Sequence, residues 1–224
     1  MKKNRIDEMS FLDHLEELRW HLIRCVLAIL LCGGIAFLSK DFIFNEILFG
    51  PRNTDFFTYD LLCKLSNTIG LDDSFCINEM PFRIQSRTMS GQFSAHIWMS
   101  ITFGFIISFP YIIYQFWSFI SPGLYQNEKK SARGFITISS ILFFIGVLFG
   151  YYIVTPLSIN FLGSYSVSED IFNDFDLDSY VGLVRSAVVA SGLIFELPII
   201  VYFLTKIGLV TPDLMIKYRK FALV

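Results

Sequence analysis

Glu17, Glu128 and Glu196 are the side chains with which this chain could do chemistry. Glu17 lies in Ser10-Phe11-Leu12-Asp13-His14-Leu15-Glu16-Glu17-Leu18-Arg19. Ser10 and Asp13 have the S-x-x-D spacing that starts a helix. Phe11, Leu12, Leu15, Leu18 and Leu22 recur at helical intervals, which leaves one apolar face. The other face displays Asp13, His14, Glu16, Glu17 and His21. Such a helix reads as lying on a membrane surface with a solvated acidic side. Anionic leaflets favour Lys and Arg in that place, so carboxylates there also fit a basic partner. Glu128 is the only acid between 121 and 134 and precedes Lys129 and Lys130. It reads either as a local Glu–Lys pair, worth little on a surface, or as a second carboxylate for the same partner.

Glu196 stands in Phe195-Glu196-Leu197-Pro198, inside an apolar run. It follows Arg185 by roughly 16 Å of helix and precedes Leu204 by roughly 12 Å. That is mid-membrane depth, where an ionised carboxylate is costly unless it is paired or takes up a proton. Pro198 has no N–H for the Ile194 carbonyl, which predicts a kink. Glu196 reads as an intramembrane functional residue or as a partner in cross-helix packing. Pro110 and Gln115 form a similar kink-and-amide pair in an earlier run, where a structural role is the plainer reading.

These residues need helices that cross a membrane. Apolar residues make up 54% of the 224, charged residues 17%, and 25 are Phe. Mean hydropathy is +0.55. Disorder and an ordinary soluble domain are both excluded. A net charge of −2 excludes a basic nucleic-acid binder. Four runs reach the roughly 20 apolar residues that a 30 Å hydrocarbon core requires. They fall at 22–38, 97–120, 135–154 and 181–204. The expected architecture is an all-α polytopic membrane protein, one integral-membrane domain over 1–224. An amphipathic helix (1–21) precedes the first span. Loops 39–96, 121–134 and 155–180 join the spans, and 205–220 follows the fourth. The first span lacks a clean cleavage site and reads as retained. Phe221, Ala222, Leu223 and Val224 read as the start of a fifth span.

Orientation follows from Lys and Arg. They are dense in 1–19 (Lys2, Lys3, Arg5, Arg19), in 121–134 (Lys129, Lys130, Arg133) and in 206–220 (Lys206, Lys217, Arg219, Lys220). The 155–180 loop has none and carries five acids. The N-terminus, the 121–134 loop and the 206–220 tail are therefore expected in the cytoplasm. Glu17 and Glu128 then share one face of the membrane. Cys63 and Cys76 lie in the long outer loop and form a candidate disulfide in an oxidising compartment. Cys25 and Cys32 read as apolar filler in the first span. No Cys/His spacing suggests a metal site.

These motifs together resemble the TatC family, the core subunit of the twin-arginine protein translocase. The resemblance rests on His14-Leu15-Glu16-Glu17-Leu18-Arg19, Pro51, Phe109-Pro110 and Tyr114-Gln115-Phe116-Trp117. It continues through Phe119-Ile120-Ser121-Pro122-Gly123-Leu124-Tyr125, Glu128-Lys129-Lys130 and Phe195-Glu196-Leu197-Pro198, and so covers nearly the whole chain. It implies a six-span bundle in the bacterial cytoplasmic (inner) membrane that binds twin-arginine signal peptides of folded cargo. Glu17 and Glu128 match the family's binding glutamates, with Arg19 and Phe119 in support. Carboxylates accept the planar donor fork of Arg in a way Lys cannot match. Glu196, with Gln115, would meet polar groups of a partner helix or of the inserted peptide. Implied partners are the single-span TatA and TatB proteins, membrane lipid and further copies of the chain. Transport would draw on the proton-motive force, with no cofactor, no nucleic acid and no enzymatic step.

Two other function classes carry sequence requirements of their own. A proton-coupled small-solute transporter using Glu196 with Arg185 requires inverted repeats, and none is visible. An intramembrane enzyme requires a nucleophile–base pair or metal ligands at depth. His14, His21 and His96 lie at or beyond the span ends, and HExxH, GxSxG and GxxxxGK[ST] are absent.

Overall fold

The computed structural model describes residues 11–69, 76–77, 80, 82–120, 132–168 and 173–206. Glu128 with its loop, and the apolar start at 221–224, lie outside the described residues. Among the described residues, four helical stretches are long and apolar enough to cross a membrane. They are His14–Leu38, Gly91–Ile120, Gly134–Ser164 and Leu177–Thr205.

The chain divides into two compact units. The first holds residues 1–46 and 88–140. Its frame is α1 (Phe11–Leu38) against α3 (Gly91–Ile120). The amphipathic lead and the first span form one unbroken helix, because no Gly or Pro interrupts 11–32. The pair is antiparallel along its whole length. His14 meets Phe119, His21 meets Gln115, Gly33 meets Ser100 and Phe37 meets His96. Small residues allow that approach, as is usual where helices pack without a hydrophobic drive. A Cβ added to Gly104 would sit 2.5 Å from the Ile29 carbonyl oxygen and 2.8 Å from Gly33 N. At the far end the His96 ring stacks on Phe37, and Nε2 lies 3.0 Å from the Phe37 carbonyl. That carbonyl would otherwise be an orphan of the α1 terminus.

The second unit holds 47–87 and 141–224. Its spans are α4 (Ala132–Phe149, from residue 141 on), a wide π turn (Gly150–Val154), α5 (Thr155–Ser164) and α6 (Leu177–Lys206). Gly146 and Gly150 lie against the backbone of α6 at Ser191 and Ala187, where an added Cβ would come within 2.7 Å of each carbonyl oxygen.

The helix that holds the third span runs on past 154, where the sequence pattern ends the span. The chain continues helically through Thr155-Pro156. Pro156 cannot donate to the Tyr152 carbonyl four residues back. The π turn opens the ladder there, and the Thr58 hydroxyl takes that carbonyl instead. The Thr155 hydroxyl returns to the Gly150 carbonyl at 2.7 Å. Thus Pro156 becomes a first-turn proline of α5 rather than a stop.

The segment expected as a plain 39–96 loop also carries structure. It includes a π turn (Phe42–Leu48), α2 (Phe57–Ile69), β1 (Arg83–Gln85) and the start of α3. β1 pairs in parallel with β2 (Asp174–Asp176), Ile84 opposite Phe175. Three tyrosines satisfy the carbonyls of Ile47, Leu48 and Pro51. Tyr151 donates to Ile47 (2.9 Å) and Tyr180 to Leu48 (2.8 Å). The buried Tyr59 hydroxyl lies 2.8 Å from the Pro51 carbonyl and 3.1 Å from that of Pro156. Burial pushes the Tyr59 phenol well above the ordinary tyrosine range, so it stays neutral.

Candidate functional site

Glu17 and His21 stand one turn apart on α1, so their side chains share a face. Gln115 and Phe119 have the same spacing on α3. The antiparallel register brings the two pairs together within the first unit. Gln115 is 4% exposed and His21 8%. His21 Nδ1 and Gln115 Oε1 are 2.6 Å apart. An amide oxygen only accepts, so Nδ1 carries the proton. The second ring nitrogen, Nε2, then faces Glu17 Oε1 at 4.0 Å. It offers a donor to that carboxylate when the imidazole is charged. The Phe119 ring is held on both sides. His14 stacks on it at 4.4 Å, and His21 meets it edge-on at 6.0 Å.

The half-buried Glu17 carboxylate has an asymmetric environment. One oxygen looks toward His21. The other, Oε2, is buried and has no hydrogen-bond partner among the described residues. A buried acceptor in that state is uncommon in native proteins. The arrangement is suited to a donor brought in from outside, on a helix face whose two histidines contact the Phe119 ring. Glu16 and Arg19 are exposed on the same helix. Glu128 lies outside the described residues, so its distance from Glu17 is not part of this geometry.

Glu196 is 3% exposed. It shares the inward face of α6 with Val184, Val188, Ser191 and Ile199, while Ile194 and Leu197 face outward. Phe195 packs on Phe149 of α4 at 5.5 Å. Pro198 lies inside an unbroken α6, and Pro110 inside an unbroken α3. Gln115, expected to meet a partner, spends its carbonyl on His21 within the chain. Cys63 and Cys76 are disulfide-bonded, with Cα atoms 4.5 Å apart, and Cys25 and Cys32 are free. No cluster of three or more His, Cys, Asp or Glu able to hold a metal occurs among the described residues.

The sequence pattern placed His14 and His21 on the polar face of α1 without a role. Their engagement with α3 depends on the register between distant helices, which a local pattern does not carry.

The spans, the half-buried Glu17 and the buried Glu196 define a multi-span helical membrane protein with polar groups at both a helix-pair end and mid-span. Residues 13–224 match the family profile described as Sec-independent protein translocase protein (TatC). A TatC of Blattabacterium sp. subsp. Periplaneta americana is 43% identical over 221 residues, which is 98% of this chain and 83% of that protein. The TatC of Aquifex aeolicus is 36% identical over 96% of this chain and 80% of its own length. A crystal structure of the twin-arginine translocase receptor TatC superposes with a TM-score of 0.72 at 33% identity, covering 93% of this chain and 81% of that one. The chain belongs to the TatC family. It is a component of the Sec-independent protein translocase, a transport family without enzymatic activity, and a multi-pass protein of the bacterial inner membrane. These relatives give the solute-transporter alternative no support.

Proposed function

We propose that this chain is the receptor for twin-arginine signal peptides and the core subunit of its translocase. Glu17 and Glu128 bind the two arginines, and both lie on the cytoplasmic side. The buried, unfilled oxygen of Glu17, on the α1 face whose His14 and His21 meet Phe119, is the observation that carries this reading. A guanidinium supplies planar paired donors to such a carboxylate, and an aromatic ring offers a face to its plane. Phe119 and Arg19 support the site, Arg19 by offsetting the surrounding acids. Glu196 serves polar contacts within the membrane. TatA and TatB are the proposed partners, with further copies of the chain in one complex. The proton-motive force drives transport.

The test is binding of a fluorescent twin-arginine peptide to the solubilised chain, with a Lys-Lys peptide as control. Glu17→Gln removes a charge-assisted hydrogen bond worth about 1.5–3 kcal/mol. The expected loss is therefore roughly tenfold to a hundredfold in Kd. Glu128→Ala should lose a similar amount, and the exposed Glu16→Ala far less. Equal losses at all three positions would show a response to diffuse negative charge and refute the site.

A further inference from the structure

Helix α2 divides its surface into three sectors rather than two. Thr58, Tyr59 and Ser66 are buried against the protein, with Leu62 and Cys63 at the margins. At 100° per residue these five positions fill one arc. Phe57, Leu61 and Leu65, at i, i+4 and i+8, fill a second arc and are 64%, 44% and 48% exposed. Asp60, Lys64 and Asn67 fill a third arc and are exposed as well. The polarity is inverted relative to a helix on a water-facing surface. The side held by the protein is hydroxyl-rich, and the largest apolar side chains point away from it.

The place of α2 along the spans accounts for this inversion. Thr58 bonds to the Tyr152 carbonyl, and the Phe57 ring meets the Tyr152 ring edge-on at 6.2 Å. Tyr152 and Ile153 are themselves exposed on the spanning stretch Gly134–Ser164. Residue 152 lies 18 residues beyond Gly134, roughly 27 Å along the helix, which is close to the edge of a 30 Å hydrocarbon core. Phe57 thus continues the lipid-facing band of that span sideways onto α2. The charged arc carries one acid and one base, so it has no net attraction for anionic headgroups.

We propose that α2 is an interfacial helix whose Phe57, Leu61 and Leu65 stripe inserts into the acyl boundary of the leaflet opposite the N-terminus. Its Asp60–Lys64 arc faces water, and its hydroxyl arc is bolted to the protein. The partner is the bilayer, recognised by apolar insertion and not by headgroup charge. This inference rests on the membrane topology alone and is independent of what Glu17 binds.

The test uses the full 224-residue chain in phosphatidylcholine liposomes, with and without phosphatidylglycerol. Cys25 and Cys32 are replaced by Ser, and the Cys63–Cys76 disulfide is kept so that it does not react. Single cysteines at 57, 61, 65, 60, 64 and 67 receive a nitroxide. Collisions with oxygen, which partitions into lipid, are compared with those of a water-soluble nickel complex. Oxygen should dominate at 57, 61 and 65, nickel should dominate at 60, 64 and 67, and the lipid charge should not alter the pattern. A diazirine-tailed phosphatidylcholine should also label the 57–69 peptide of the unmodified chain. Nickel dominating at all six sites would overturn the proposal. So would exclusion of both reagents at 57, 61 and 65, which would mean that protein covers the stripe.

Discussion

Gly104→Ala should loosen the α1–α3 pair, whereas Gly34→Ala should not. The added methyl at 104 would lie 2.5 Å from the Ile29 carbonyl oxygen and 2.9 Å from Gly33 Cα. These are backbone atoms, so no rotamer can yield. Ordinary contact requires the helices to part by about 1 Å, which forfeits a quarter to a half of each dispersion well at the crossing. Overpacking of this kind costs about 1–3 kcal/mol. Alanine returns up to about 1 kcal/mol through helix propensity. At Gly34, on the facing helix α1, an added Cβ meets nothing within 4 Å, so only the propensity gain remains. The two variants should therefore differ by about 2 kcal/mol, with Gly104→Ala the less stable. Thermal unfolding in mild detergent, read by a fluorescent dye on the free thiols Cys25 and Cys32 of α1, measures the difference. Coincident melting of the two variants would refute the close crossing.

Tyr59→Phe should cost about 1–3 kcal/mol, since it leaves the Pro51 and Pro156 carbonyls without their shared donor. Burial raises the folded-state pKa of this phenol, so its stabilisation is complete below the ordinary tyrosine range and is lost only as pH climbs above it. Wild type minus Tyr59→Phe should therefore give a flat stability difference across neutral pH, and a slope there would contradict a neutral, buried phenol. Glu196→Gln keeps the side-chain volume and should fold normally but impair export in cells. Wild-type export by that variant would remove Glu196 from the transport mechanism.

The spans were legible because their signal is local. Twenty apolar residues in a row require no knowledge of the rest of the chain. Their ends were less legible, and Pro156 shows why. The consequence of a proline in a helical run depends on whether another segment can satisfy the carbonyl it abandons. Thr58, nearly a hundred residues earlier, does so. The helix at 57–69 was hidden for a related reason. Its apolar stripe is three residues wide and its buried side is polar, so it lacks the pattern of a water-facing helix. In the site, Glu17 was visible through its type and its place on an amphipathic face. The His21–Gln115 contact was not, because 94 residues separate the partners and only the helix register joins them.

That register has two determinants with separate tasks. Gly33 and Gly104 set how closely α1 and α3 approach. They restrict rotation only coarsely, by keeping larger side chains out of the crossing. Rotation needs a directional interaction, and the His21–Gln115 bond supplies one in apolar surroundings. A slip of one residue would turn α1 by about 100°. It would leave a buried amide and an imidazole nitrogen unpaired, at a cost of roughly 1–3 kcal/mol each. The same turn would swing His14 off Phe119 and carry Glu17 and His21 together away from Gln115. The polar pair is thus the lock that aims the Glu17 carboxylate, while the glycines some 24 Å along the helix only bring the two helices within its reach.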